Sequence, residues 1–267
     1  MNKSLYAPGL VIFLVVMVGI STAGASDRIK AFGPGERMDF VLKWTGITVA
    51  DAALIVEESS GPDDESIYRI ISTAKSRSVI DSLYRVRSRY ESHINPEDGL
   101  PLKYIAHSRE RDRKKDRVYL FDQENNFVRR MEKGKEGQTT SEVFEIPETT
   151  YDTISSLYAM RNRNPEIGES LPLNIFNNRK NYELVIDVLH EEEITTSAGR
   201  FNTVKVQPKL ISEGTEKKDG ELFIWVTNDE RHIPVLMKSK VKVGSFTLEL
   251  VRYSDGHGTV YGEQVDE

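Results

Sequence analysis

Basic residues occupy the odd positions Arg109, Arg111, Arg113, Lys115 and Arg117, while Glu110, Asp112 and Asp116 hold even ones. Successive side chains of a strand point to opposite faces, so this spacing makes one face basic and the other mostly acidic. Arg85, Arg87 and Arg89 show the same parity one segment earlier. Two registers are open if the segments pair as a hairpin. Odd-to-even pairing sets arginines opposite carboxylates as a cross-strand ladder. Odd-to-odd pairing crowds the cations on one face and calls for an anion, such as a phosphate head group or an acidic glycan, to relieve it. Like charges directly opposite cost about 0.2–1 kcal/mol a pair, which favours the ladder. Under the other register Arg85, Arg87, Arg89, Arg109, Arg111 and Arg113 are the candidate anion site.

Asp229, Glu230 and His232 form a second constellation, an acid–base cluster of the type that hydrolyses glycans when a carboxylate is buried beside a histidine. Asp152 is a further carboxylate for such a site. Turn chemistry accounts for Asp229 and Glu230 equally well. His190-Glu191-Glu192-Glu193 lacks the second histidine of a zinc-protease helix, since position 194 is Ile194. His257 stands alone between two glycines, and without cysteine the zinc ligand sets thin out, so no metal or cofactor is implied. Gly168-Glu169-Ser170-Leu171-Pro172 does not frame a nucleophilic serine. Trp44, Trp225, Tyr151 and Tyr158 are the aromatics to line a ligand pocket if they are not simply core.

The elements that position these residues are mostly strands. Gly220 to Tyr253 carries the densest β pattern. In Glu221–Thr227, Leu222, Ile224 and Val226 share one face and Phe223 and Trp225 the other, which suits a strand covered on both sides. A Thr-Asn-Asp-Glu turn and Gly244 divide the stretch into a three-strand meander. Upstream, Glu36 to Glu57 reads as a hairpin, and Ala50, Ala52 and Ala53 leave room for something bulky opposite. Leu102 to Phe121 reads as one long strand or two colinear ones. Ser76 to Leu83 is open between helix and strand. One helix follows Asp152, with Ile154, Leu157 and Tyr158 at i, i+3 and i+4, and is ended by Asn162 to Pro165. The pattern predicts a mainly β fold: an antiparallel barrel, half-barrel or sandwich with one short interior helix.

The chain has 267 residues, a formal charge of −6 and no cysteine. Lys3, the apolar run Leu10–Ile20 and the small residues through Ala25 have the layout of a secretory signal peptide, too short to span a bilayer. Cleavage after Ala25 would leave one domain, residues 26–253, and a tail, residues 254–267, with three glycines and no apolar period. Such a chain would be periplasmic or secreted and held together by its core alone. Its acidity disfavours nucleic acid.

The stretches GERMDFVLKWTGITVADAALIV, YDTISSLYAMR and FIWVTNDERHIPVLMKSKVKVGSFTLELVRY, taken in that order, resemble the recurring blocks of an exported bacterial family classed as domain of unknown function 3108. The resemblance covers about Gly35 to Tyr253 and departs at Ala50, where the family usually has glycine. It implies export and a single β-rich domain, and brings no activity to transfer. The expected function is therefore a non-enzymatic binding or cell-envelope accessory protein, holding an apolar or amphipathic lipid or glycan in a barrel-like interior. A glycan hydrolase, or an interaction module that docks an envelope protein, is the alternative.

Overall fold

The computed structural model describes residues 29–61, 64–81, 85–110, 113–134, 136–212, 214–216, 220–240 and 244–262. The expected signal peptide, Arg111 and the side chain of Arg113 lie outside this set.

Among the described residues seventeen strands follow one another with two short helices. β1 (Arg37–Trp44), β2 (Ile47–Ser60) and β3 (Ser66–Ser76) precede the single turn α1 (Ser78–Asp81). β4 (Val86–Ile94), β5 (Pro101–Glu110), β6 (Arg113–Asp122), β7 (Phe127–Lys133) and β8 (Thr139–Glu145) continue the meander, and β9 (Thr150–Tyr151) leads into α2 (Ser155–Arg161). The second half holds β10 (Ser170–Asn177), β11 (Lys180–Thr196), β12 (Gly199–Ser212), β13 (Thr215–Glu216), β14 (Glu221–Thr227), β15 (Pro234–Lys240), β16 (Ser245–Ser254) and β17 (Val260–Tyr261).

Each strand from β1 to β8 pairs antiparallel with the next, and β1 also pairs with β16, so the two halves join along it. Beyond β16 the order is β15, β14, β12, β11 and β10. β9 adds a short parallel pairing to β10. The sheet curls until its ends, β8 and β10, face each other, but no backbone ladder closes it. Side chains bridge the seam instead. Asn181 Nδ2 donates to the Glu145 carbonyl at 2.8 Å, Arg179 Nε to Glu142 at 2.8 Å, and the Phe144 and Phe176 rings lie 5.3 Å apart.

Alternation explains which faces turn inward. Met38, Phe40, Leu54, Val56, Ile70, Ile186, Ile224 and Leu250 all point into the buried interior. β14 is apolar on both faces because its outer side is covered as well. The ammonium groups of Lys205 and Lys238 lie 4.9 and 5.3 Å from the Trp225 ring, and the Trp225 indole N–H donates to Glu192 at 2.7 Å. The three-strand meander expected from Gly220 to Tyr253 is β14, β15 and β16.

Three expectations are corrected. Leu102 to Phe121 is neither one strand nor two colinear ones but the antiparallel pair of β5 and β6, with Glu110 opposite Arg113. The charge ladder is not formed: β4 and β5 pair odd with odd, so Arg87 faces Arg109 and Arg89 faces His107. The stretch expected as a loose tail instead turns back after Ser254 to form β17, where Tyr261 stacks on Tyr253 at 5.6 Å and meets Phe201 edge-on.

α2 runs through the interior, and six of its seven residues are buried. The Asp152 carboxylate accepts the N–H groups of Ile154 and Ser155, which would otherwise be orphaned inside the barrel. At the other end Arg161 is fully buried and forms a two-pronged ion pair with Glu36, each contact 2.7 Å. Its remaining donors reach the carbonyls of Ala31 and Arg231, and Tyr253 donates to Glu36 at 3.3 Å. Burial works against the charge on Arg161, but Glu36 holds its pKa above the ordinary arginine value. Removing one partner strands the other charge in a dry site. Glu36→Gln is expected to destabilise the protein by about 3–5 kcal/mol in chemical denaturation, and a loss below 1 kcal/mol would show that the pair is not what seats the helix.

Candidate functional site

The antiparallel register of β5 and β6 pairs even with odd, so even residues of β5 and odd residues of β6 share the inner face. Ser108 pairs with Lys115, Ala106 with Arg117 and Tyr104 with Tyr119. The register extends these pairs into rows across the sheet. Leu54, Ser72, Tyr90, Ala106, Arg117 and Glu132 form one row, which passes from apolar to charged as it crosses β2 to β7. The row nearer the turns holds Ala52, Ala74, Ser88, Ser108 and Lys115. Of the small side chains in these rows, Ser72, Ala106 and Ser108 border a space that their neighbours do not fill. A cavity of about 60 Å³ remains.

Its floor is Leu54 with Ile154 and Leu157 of α2, its walls are Tyr90, Tyr104 and Tyr119, and its mouth carries Glu110, Lys115, Arg117 and Asn177. The Tyr90 and Tyr104 rings are nearly parallel, 6.4 Å apart, and Tyr104 lies 5.5 Å from Tyr119. Burial pushes both the Tyr90 and the Tyr104 hydroxyl above the ordinary tyrosine range, so they face the cavity as neutral groups. Thr153 Oγ1 donates to the Tyr104 hydroxyl at 3.1 Å and ties that wall to the approach to α2. Lys115 has no ion-pair partner among the described residues. Arg117 is bound to Glu132 at 2.8 Å, Glu132 also meets Arg130, and Arg130 reaches Glu142 at 2.8 Å, where Arg179 joins from across the seam. One charged chain thus runs from the mouth to the barrel seam. Burial opposes the Glu132 carboxylate, but Arg117 and Arg130 hold its pKa below the usual glutamate value.

None of the four aromatics expected to line a pocket, Trp44, Trp225, Tyr151 and Tyr158, borders this cavity. Tyr151 and Tyr158 are core residues, and Tyr158 packs edge-on to Phe32 at 4.6 Å. Trp225 faces outward under its two lysines. Trp44 sits at the tip of the β1–β2 hairpin, stacked on Phe246. The tyrosines that do line the cavity stand at even positions of β4 and β5 among small residues, a pattern legible only once the inner parity is known. The candidate arginines also part company. Arg87 bonds Asp81, Arg89 bonds Glu91 at 2.8 Å, Arg85 stands 3.9 Å from Asp81, and Arg109 is exposed between Arg87 and Lys114.

The carboxylates do not converge. Asp152 lies at the start of α2, whereas Asp229 bonds Thr227 and Arg231 in the turn that meets the far end of the helix, about 10 Å away by the helical rise. Glu230 is exposed in that turn. Among the described residues no three histidine or acidic side chains are grouped to hold a metal.

A curled antiparallel sheet with a short helix inside it and a small cavity above defines a β-barrel-like protein with an open seam. Residues 39–251 match the family described as "Protein of unknown function (DUF3108)", and the chain belongs to that family. No curated protein matches it. Among solved structures it is similar to a β-barrel-like protein of the domain of unknown function DUF1849 from Brucella abortus, with a TM-score of 0.57 at 7% identity, covering 84% of this chain and 99% of that one. This likeness concerns the fold alone. A Bacteroides fragilis protein described as exported and YmcC-like in fold aligns over 85% of this chain and 99% of its own at 9% identity, with a TM-score of 0.31. A Parabacteroides distasonis protein described as a lipoprotein aligns over 85% of this chain and 100% of its own at 13% identity, with a TM-score of 0.34. No helix among the described residues is long and apolar enough to cross a membrane.

The buried Asp152 sets a pH dependence. Burial raises its pKa above the ordinary aspartate value. A raised folded pKa means that the folded state holds the proton more tightly. The contribution is therefore complete below the ordinary aspartate range and is lost as pH climbs through the folded pKa. Asp152→Asn is expected to flatten the stability–pH profile from acid to neutral, while Asp152→Ala, which orphans two buried N–H groups, costs about 2–3 kcal/mol in the acid range where the wild-type contribution is complete. Identical profiles for Asp152→Asn and wild type would overturn the assignment.

Proposed function

We propose that the protein is an exported, non-enzymatic binding protein of the cell envelope whose barrel interior receives one end of an amphipathic ligand. The carrying observation is the gradient across the cavity, from Leu54 and Leu157 at the floor, past the tyrosine walls, to Lys115 and Arg117 at the mouth. An apolar end would rest on the floor beside the tyrosine walls, and an anionic or hydroxyl-bearing group would meet Lys115. The size of the cavity supports a restricted form of this reading. Its 60 Å³ is smaller than the roughly 150 Å³ of an engineered cavity that takes benzene, so neither a whole lipid nor an aromatic ring is enclosed. A short aliphatic end fits the opening, with the remainder of the ligand outside. The layout of residues 1–25 supports export, with cleavage after Ala25.

Native mass spectrometry of protein recovered from the periplasm tests this. The expected result is a small amphipathic molecule that leaves on denaturation. Ala106→Phe fills the cavity and is expected to abolish its capture without lowering the melting temperature by more than a few degrees. Lys115→Glu is expected to weaken binding roughly tenfold or more, as loss of a charged hydrogen bond does. Undiminished capture by a folded Ala106→Phe variant would sink the reading.

A further inference from the structure

The Thr45-Gly46 turn, the last residues of β3, β5 and β15 and the first residues of β4, β6 and β16 lie at one end of the barrel, the end at which the cavity opens. Two independent features meet there. The first is an exposed apolar tip. Trp44 is 37% and Ile47 64% exposed, directly opposite each other across the Thr45-Gly46 turn, and Trp44 stacks on Phe246 of the neighbouring strand at 6.4 Å and 14°. Gly244 fixes the indole: a Cβ there would come within 2.9 Å of Trp44 Nε1. Neither Trp44 nor Ile47 belongs to the core.

The second feature is a row of cations on the outer face. Register sets Lys75, Arg87, Arg109 and Lys114 side by side on β3, β4, β5 and β6, so like charges stand directly opposite across three strand junctions. Such pairs are destabilising. Asp81 relieves Arg87 and Asp116 relieves Lys114. Lys75 and Arg109 have no ion-pair partner among the described residues, nor do Lys115 at the mouth and Lys240 beside Ser245. Although the chain as a whole carries −6, the described ends of β3 to β6 keep three cations without an ion-pair partner, Lys75, Arg109 and Lys115, against one such carboxylate, Glu110.

We propose that this end of the barrel docks on an anionic lipid surface. Trp44 and Ile47 enter the headgroup layer, where an amphipathic indole is favoured, and Lys75, Arg109, Lys115 and Lys240 meet lipid phosphates. A flat bilayer suits the geometry, because the tip and the cation row span adjacent strands of one rim, with β2 and β5 about 14 Å apart at the usual strand spacing. Neither feature suffices alone, since weak insertion and weak attraction anchor a protein only in combination. The inference stands whatever the cavity holds.

The test is cosedimentation of the protein lacking residues 1–25 with vesicles of phosphatidylcholine alone and of phosphatidylcholine with phosphatidylglycerol. The expected result is binding only to the phosphatidylglycerol vesicles, weakening as salt rises, with a blue shift of tryptophan emission. Lys75→Ser with Arg109→Ser is expected to weaken binding about 25-fold, at roughly fivefold per cation near an anionic surface. Trp44→Ser with Ile47→Ser is expected to remove the blue shift while leaving the melting temperature near that of the wild type. Equal binding to both vesicle types, or variants that bind as the wild type does, overturns the proposal. So does binding to a soluble acidic polysaccharide without binding to vesicles, which would assign the cation row to a glycan. Because vesicle binding is read on empty protein, Ala106→Phe should retain it, and the two readings can fail separately.

Discussion

The Arg161–Glu36 pair sets the terms for the rest of the molecule. A guanidinium taken fully out of water is tolerated only when its donors are met, and here they are met by Glu36 and the Ala31 carbonyl of the lead segment and by the Arg231 carbonyl of a distant turn, while the faces of Phe32 and Tyr158 lie beside it and Tyr253 of β16 donates to Glu36. These groups are drawn from both ends of the chain and from α2 itself. The pair therefore couples the start of the fold to its end and pins the last turn of α2 at one depth in the barrel. Asp152 and Ser92 hold the beginning of the helix against β4. With both ends fixed, the helix fills one part of the interior and leaves the rest open, so the cavity is a consequence of where the charge pair lies.

How much of this is legible in the sequence depends on the range of the signal. The meander of β14 to β16 is legible because strand alternation is local and its turns contain Asn, Asp and Gly. α2 is legible from Ile154, Leu157 and Tyr158, although its hydrogen-bonded turns begin only at Ser155. The β5–β6 pair is not, because charged residues stand at positions 111 and 112, where Gly or Asn would have announced a turn. Missing that reversal joined Arg109, which faces outward, to Lys115 and Arg117, which face inward. β8 was hidden by Thr139-Thr140-Ser141-Glu142, which carries no apolar period. The Glu36–Arg161 pair, 125 residues apart in the chain, leaves no local trace.

The site shows the same limit. Large aromatics were the natural candidates by residue type, yet Tyr151 and Tyr158 pack the core and Trp225 serves the outer wall. The cavity is lined instead by small residues, Ser72, Ala106 and Ser108, that come together with the tyrosines only after β3, β4 and β5 have been set in register. Absence of bulk is a property of the assembled sheet.

The seam between β8 and β10 gives the barrel an unequal resistance to opening. Everywhere else along the sheet, parting neighbouring long strands breaks a run of backbone hydrogen bonds. At the seam it breaks a few side-chain contacts, those of Asn181, Asn174 and Arg179, each worth about 1 kcal/mol, and separates Phe144 from Phe176. Local opening is therefore concentrated on this line, and the girth of the barrel can change there with every ladder intact. Were the interior to take a ligand, one too wide for the mouth would enter laterally, at a rate set by the lifetime of a handful of side-chain contacts and not by the global stability of the fold.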